Sequence, residues 1–184
     1  MLTGTTPVRD WRTRLYRLGA LTPPEPQAEG RGRVVDERDH EQLVRWCREF
    51  CADVEEGVTI AAIDAGAWVD TRFADKHFTF WQTPDGTPVS MAGSTSMVGG
   101  MVRIDPVYTP AHLRGRGYAG AVTVEVSRAA LAAGATDVVL FADPANPTSN
   151  ALYQRIGYLP VAEFAGYAFT FPGVHGGDVR EVGQ

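Results

Sequence analysis

Cysteine is scarce: Cys47 and Cys51 are the only two in 184 residues. They stand four apart in a helical pattern, where the geometry is poor for a disulfide, and no second ligand pair accompanies them to complete a zinc site. Packing into a core is the role this spacing implies. Long apolar runs are missing as well. The most apolar stretches, 58–69 and 138–142, are too short or too interrupted for the roughly 20 residues of a membrane-spanning helix, so no membrane partner is expected. The first residues carry Arg9, Asp10, Arg12, Arg14 and Arg17 with no apolar run between them, which argues against a signal peptide and for a cytoplasmic protein. A basic excess is also absent. With 17 Lys and Arg against 22 Asp and Glu the formal charge is -5, and nucleic acid is excluded as the main partner because phosphate backbones call for clustered cations. This acidity suits cationic or neutral substrates. His77, His112 and His175 lack the partner spacing of a metal site, so no metal is expected.

What the chain does have is enough apolar content, 44%, for one substantial core and one main domain. Trp11 to Leu18 alternates like a strand, and L-T-P-P-E-P-Q-A-E-G-R-G then reads as a proline and glycine linker. The expected organisation is a segment 1–31, a domain 32–171 and a loose glycine-rich tail 172–184. Asp39 with Gln42 three residues on reads as a helix start, followed by Leu43, Trp46, Cys47 and Phe50 at helical spacing. Ile60, Ile63 and Ala67 suggest a second helix. The period changes to two at His77 to Gln82. Thr83 to Pro88 is a turn signal, and Val89 to Val98 makes the second arm of a hairpin, with Val89, Met91, Thr95 and Met97 on one face. Gly99 and Gly100 turn the chain into a third strand, Met101 to Val107, giving an antiparallel meander.

The most informative stretch follows directly: L-R-G-R-G-Y-A, Leu113 to Ala119. Gly115 and Gly117 let the backbone turn sharply and come close to an anion, and the helix beyond offers its unpaired amides and the positive end of its dipole. Arg114 and Arg116 add charge. The loop therefore reads as a phosphate cradle. The helix from Tyr118 to Ala133 carries Val122, Val126, Ala129 and Ala133 on one stripe and closes at Gly134. Asp137 to Ala142, D-V-V-L-F-A, has the continuous β-branched character of a strand buried on both faces in parallel pairing, which completes a β-α-β unit. A short helix from about Thr148 to Ile156 and an aromatic strand ending Tyr167, Phe169, Phe171 close the chain.

The strand V-R-I-D-P-V-Y-T-P, the loop R-G-R-G-Y-A and the later N-P-T-S-N-A-L-Y-Q-R-I-G-Y together resemble the acyl-CoA-binding core of the GNAT acetyltransferase superfamily, over about residues 101–162. The superfamily loop motif falls on His112, Gly115 and Gly117, with His112 departing from the usual Gln or Arg. The resemblance implies an α/β fold of GNAT type: a central mixed, mostly antiparallel sheet with a splayed parallel pair and flanking helices. It implies acetyl-CoA as cosubstrate, no metal, and an N-acetyltransferase that passes the acetyl group to a primary amine by direct attack. The amides from Leu113 to Ala119 (Leu113, Arg114, Gly115, Arg116, Gly117, Tyr118, Ala119) would hold the pyrophosphate. The freed strand backbone at Val107, Tyr108 and Thr109 would pair with the pantetheine arm.

The resemblance assigns Tyr153 the role of general acid to the departing thiolate, and Asn146 and Asn150 hydrogen bonds to the CoA arm, with capping of the short helix as their competing role. The strand position where some superfamily members carry a glutamate base corresponds to Met101, which accepts no proton. Asp105 on the same strand and Glu49 near the end of the first helix remain as bases acting through a water; the competing reading for them is a solvated or salt-bridged carboxylate, such as Asp105 with Arg103. The acceptor, a small molecule or a protein, would sit among the first two helices, the meander and the last strand. Many superfamily members are homodimers, and Trp11 to Leu18 is either an extra strand of the sheet or a dimer contact. Two rivals stand beside this reading. A dinucleotide-binding fold fits Gly115, Gly117, Gly120 and Asp143, but Pro110 to Arg114 intervenes between strand and glycine, and too little chain remains for two nucleotide-binding halves. A non-catalytic acyl-CoA sensor fits the absent strand glutamate but not the retained Tyr153.

Overall fold

Alternating and β-branched segments condense into one mixed sheet, seen here in a computed structural model that describes residues 6–54 and 76–170. Its strands are β1 (Thr6–Leu18), β2 (Arg31–Val34), β3 (Lys76–Gln82), β4 (Pro88–Thr95), β5 (Met101–Tyr108), β6 (Asp137–Ala142) and β7 (Tyr158–Thr170). Among the described residues the order across the sheet is β2-β3-β4-β5-β6-β1-β7. The helices are α1 (His40–Val54), α2 (Tyr118–Ala132) and α3 (Pro147–Arg155). Ile60, Ile63, Ala67 and the tail 172–184 lie outside the described residues.

The meander β3-β4-β5 is antiparallel, and β5 with β6 is the one parallel pair among the described strands, joined by α2 as the crossover. This bears out the mixed, mostly antiparallel sheet and the GNAT-type α/β architecture. The expected common face of Val89, Met91, Thr95 and Met97 does not form. The register passes from Trp81↔Ser90 to Gln82↔Pro88, so Val89 is the extra residue of a bulge and packs with α2, whereas Met91 packs with α1. Met97 lies beyond the end of β4 and is 40% exposed.

The strand β1 is no peripheral addition. It lies between β6 and β7, antiparallel to both, from Arg14↔Ala142 to Arg17↔Val139 on one side and from Thr6↔Thr170 to Leu18↔Tyr158 on the other. Nor is the proline-rich stretch after it a free linker. Gly19 N–H donates to Gly157 O at 2.9 Å, Thr22 N–H to Ile156 O at 3.0 Å, and Trp81 Nε1–H to Glu29 O at 3.0 Å, which ties both ends of the stretch to the domain.

The helix α1 begins at His40, directly after Asp39 as expected, and one further turn leads into it. Asp36, not Asp39, is the cap of a short 3-10 turn over Glu37–Asp39, and Asp39 closes the capping box back onto the Asp36 amide. Arg33 holds Asp39 and Arg38 holds Asp36, each at 2.7 Å; Asp36 is drawn below the usual carboxylate range first by the Arg38 side chain and then by the Arg38 amide, and Asp39 first by Arg33. From there Leu43, Trp46 and Cys47 are buried against Phe78, Phe80, Met91 and Tyr108 on one face of the sheet. Each large side chain so buried contributes about 1.5–3 kcal/mol. The other face is covered by α2, but its stripe is shifted from the expected one. Val122 and Val126 are buried, while Ala129 and Ala133 are exposed and Ala130 takes the place facing Val102, Ile104, Val138 and Leu140.

Cys47 is fully buried, and its thiol is pushed up to about 12, first by burial and then by Cys51. Thiol reagents need the thiolate. Iodoacetamide at pH 8 is therefore expected to leave Cys47 unmodified in the native protein and to modify it after denaturation. Peptide mass mapping reads this directly, and native labelling at the rate of an unfolded thiol would contradict the packing of α1.

Candidate active site

The parallel ladder between β5 and β6 runs from Met101↔Asp137 to Ile104↔Leu140 and stops there. Beyond Ile104 the strand β5 stays paired with β4, at Ala92↔Val107 and Met91↔Tyr108, and no longer with β6. A cleft thus opens in the sheet along Asp105 to Thr109, with the prolines at 106 and 110 where a full ladder is not needed. Part of the Thr109 group is already engaged: its carbonyl accepts from Arg114 Nε at 3.0 Å, and its hydroxyl meets Ser90 Oγ at 2.8 Å.

At the open end of this cleft lies the glycine turn. Gly115 and Gly117 have φ of 77° and 81°, the left-handed region that a glycine enters at no steric cost, and Gly117 caps α2 without any side-chain hydrogen bond. The first helical bond is Ala121 N–H to Gly117 O at 3.0 Å; among the described residues the amides from Gly115 to Gly120 donate to no protein acceptor. This is a concave run of N–H groups at the positive end of a helix dipole, suited to a diphosphate. A Cβ at Gly115 would meet nothing within 4 Å, so there is space before these amides. Gly120, the third glycine of the G-x-G-x-x-G spelling, serves another purpose: a Cβ there would come to 3.0 Å from Leu152 Cδ1 of α3.

The two arginines of the loop differ. Arg114 is turned back, ion-paired with Asp53 of α1 as well as bonded to Thr109, whereas Arg116 is exposed and reaches only the His112 carbonyl, at 3.5 Å. The expected charge therefore comes from Arg116 more than from Arg114. Leu113 is half-buried against the core.

The helix α3 carries Tyr153, 8% exposed, with its ring 6.2 Å from those of both Tyr16 and Tyr158. Its phenol is raised above the ordinary value, first by burial, then by Tyr158 and by the charge of Asp105. Its hydroxyl has no hydrogen-bond partner among the described residues. Asn146 and Asn150 do not share that freedom. Asn146 caps α3, its Oδ1 accepting from Ser149 N–H at 3.0 Å. Asn150 Nδ2 donates to Asp143 O at 2.7 Å and Asn146 O at 2.6 Å, and its Oδ1 accepts from Tyr16. Both amide hydrogens of Asn150 are thus engaged inside the protein, and Asn146 takes the capping role that competes with a contact to a CoA arm.

The candidate bases are also held. Glu49 accepts from the Tyr108 hydroxyl at 2.8 Å, and the Tyr108 phenol is raised by burial and by that carboxylate. Asp105 is ion-paired with Lys76 at 2.7 Å and Arg103 at 3.4 Å. Sequence reading found Arg103 and missed Lys76, the only lysine of the chain, whose side chain is 4% exposed. It sits at the start of β3, two strands from Asp105, and no local pattern joins the two. Met101, at the glutamate position, is 49% exposed. The aromatics Trp46, Phe78, Phe80 and Trp81 are core; among the described residues the exposed ones are Phe141, Phe164 and Tyr167.

A sheet splayed between two parallel strands, with a glycine turn opening the crossover helix, is the fold the chain shares with solved GNAT acetyltransferases. Residues 92–164 match the model of the family described as FR47-like protein. Among solved structures it is similar to a GCN5-related N-acetyltransferase from Kribbella flavida (25% identity, TM-score 0.61, covering 94% of this chain and 62% of that one). It is similar also to a GCN5-related N-acetyltransferase from Sphaerobacter thermophilus (21%, TM-score 0.67, 93% and 55%). A third is AAC(6')-Iy, solved with the bisubstrate analog CoA-S-monomethyl-acetylneamine (15%, TM-score 0.54, 71% and 90%). The chain spans less than two thirds of the length of the first two. No curated protein matches the sequence.

Proposed function

We propose that the chain is an N-acetyltransferase that moves the acetyl group of acetyl-CoA directly to a primary amine of a small molecule or protein. The observation that carries this is the run of unpaired amides from Gly115 to Gly120 where β5 leaves β6, and the hydroxyl of Tyr153 on α3, which has no partner among the described residues, supports it. The pyrophosphate would take the amides of the glycine turn, and the pantetheine arm would lie along Val107 to Thr109, where β5 has left β6. The unit we assign to this function runs from β1 to β7, because β1 is part of the same sheet.

The step balances without a covalent enzyme intermediate. The amine nitrogen attacks the thioester carbon, the C–S bond breaks, and the thiolate takes its proton from the Tyr153 hydroxyl. The ammonium proton leaves through a water to Glu49 or Asp105. Glu49 suits this better, since one neutral hydroxyl holds it, whereas Asp105 is engaged by two cations.

Calorimetric titration with acetyl-CoA and separately with NADPH tests the reading. Saturable binding of acetyl-CoA alone is expected, followed by transfer in a screen of amines. Binding of NADPH alone would favour the dinucleotide reading, and acetyl-CoA binding with no transfer to any amine would favour a sensor.

A further inference from the structure

We propose that Tyr16, from the N-terminal strand β1, is a positioning residue for Tyr153, so that the strand outside the recognised core completes the acetyl-transfer site. The inference rests on the acetyltransferase reading for its kinetic arm. Three tyrosines stand in a row: Tyr153 in the middle, Tyr16 tilted at 54° on one side and Tyr158 at 67° on the other, each 6.2 Å away between ring centroids. The outer two are both fully buried and both tied by their hydroxyls. Tyr158 Oη lies 2.6 Å from Ser127 Oγ of α2, and the Tyr16 hydroxyl donates to Asn150 Oδ1 at 2.5 Å. Only the middle hydroxyl is left for a ligand.

The Tyr16 bond reaches further than its one acceptor. Asn150 uses its amide hydrogens to grip the carbonyls of Asp143 and Asn146, which lead into α3, so β1 fixes the entry of that helix one turn before Tyr153. Gln154 Nε2 lies 3.5 Å from the same Tyr16 oxygen. Arg14, two residues along β1, lies 3.5 Å from both Asn150 Oδ1 and Tyr16 Oη and is itself held by Glu163 of β7, with Nε–H donating at 3.0 Å. Height and ring orientation of Tyr153 are thereby set from β1. A phenol that must deliver a proton to one sulfur atom loses rate when its placement loosens.

Tyr16→Phe keeps the ring and removes the hydroxyl. It is expected to lower kcat about tenfold, the order of one buried hydrogen bond, with KM for acetyl-CoA nearly unchanged. In a Tyr153→Phe background the same substitution is expected to cost nothing more, because its effect passes through the Tyr153 hydroxyl. An equal fractional loss in both backgrounds, or no loss in the wild-type background, overturns the proposal. Hydrogen exchange gives an arm independent of activity: α3 amides from Ala151 to Arg155 should exchange faster in Tyr16→Phe while α1 is unaffected, and unchanged α3 protection overturns the proposal as well. A wild type that transfers no acetyl group would strike the acetyltransferase reading, leaving the exchange arm to decide the bracing of α3.

Discussion

Tyr153→Phe is expected to lower kcat about 10²- to 10⁴-fold, the range over which a positioned general acid acts, while the affinity for acetyl-CoA stays the same. The hydroxyl has no partner among the described residues, so its loss breaks no internal bond and the ring still packs between Tyr16 and Tyr158. The effect should therefore appear in kcat alone. The sign of the pH dependence follows from the same environment. Burial first, then Tyr158 and Asp105, raise this phenol, so it keeps its proton throughout the range where the thiolate leaves. No alkaline loss of rate below about pH 10, the ordinary phenol value, should belong to Tyr153; an acidic limb would belong to the base or to the amine. Steady-state kinetics of the two proteins over pH 6 to 10 checks both statements. Equal kcat in the two would remove Tyr153 from the reaction.

What sequence could reveal of this site divides by range. The glycine turn was legible because every part of it is contiguous: Gly115 and Gly117 supply the turn, and the helix that supplies the amides begins at the next residue. The parallel strand was legible from D-V-V-L-F-A for the same reason. The place of β1 was not. Its pairing joins residues more than a hundred positions apart, and an alternating strand carries no mark of which neighbours it will take. Tyr16 was hidden with it. Lys76 and Asp105 meet across the meander only once the register Lys76↔Thr95 and Ser94↔Ile104 is formed. The start of α1 was legible from Asp39, whereas the 3-10 turn that Asp36 caps ahead of it was not, because it is held by Arg33 of β2 on Asp39. Asn150 was placed correctly on its helix, but its internal partners were not legible, because the carbonyls of Asp143 and Asn146 and the Tyr16 hydroxyl converge on it only in the folded chain. Helix phase failed by one residue in α2, where an alanine-rich stretch offers Ala129 and Ala130 with equal apolar character.

Gly117→Val is expected to weaken acetyl-CoA binding about 100-fold or more, by taking away the geometry of two or more charge-assisted amide contacts worth about 1.5–3 kcal/mol each. At φ of 81° a β-branched residue is a conformational outlier, and the left-handed region costs an L-residue about 1–2 kcal/mol. The chain can relieve that strain by turning the peptide, which moves the amides of Tyr118 and Ala119 out of line with the helix axis. Space is not the obstacle: a Cβ at Gly117 would meet only Ala28 Cβ, at 3.6 Å. Strain alone can be separated from loss of the cradle by Gly86→Val. Gly86 has φ of 90°, a Cβ there meets nothing within 4 Å, and it lies in the turn between β3 and β4, away from the cleft. Gly86→Val should lose stability through strain and keep its affinity for acetyl-CoA, whereas Gly117→Val should lose affinity at temperatures where it remains folded. Calorimetric titration alongside thermal melts of both variants decides it. If the two variants lose affinity equally, the loss follows from stability, and the amides of the glycine turn are not where the pyrophosphate binds.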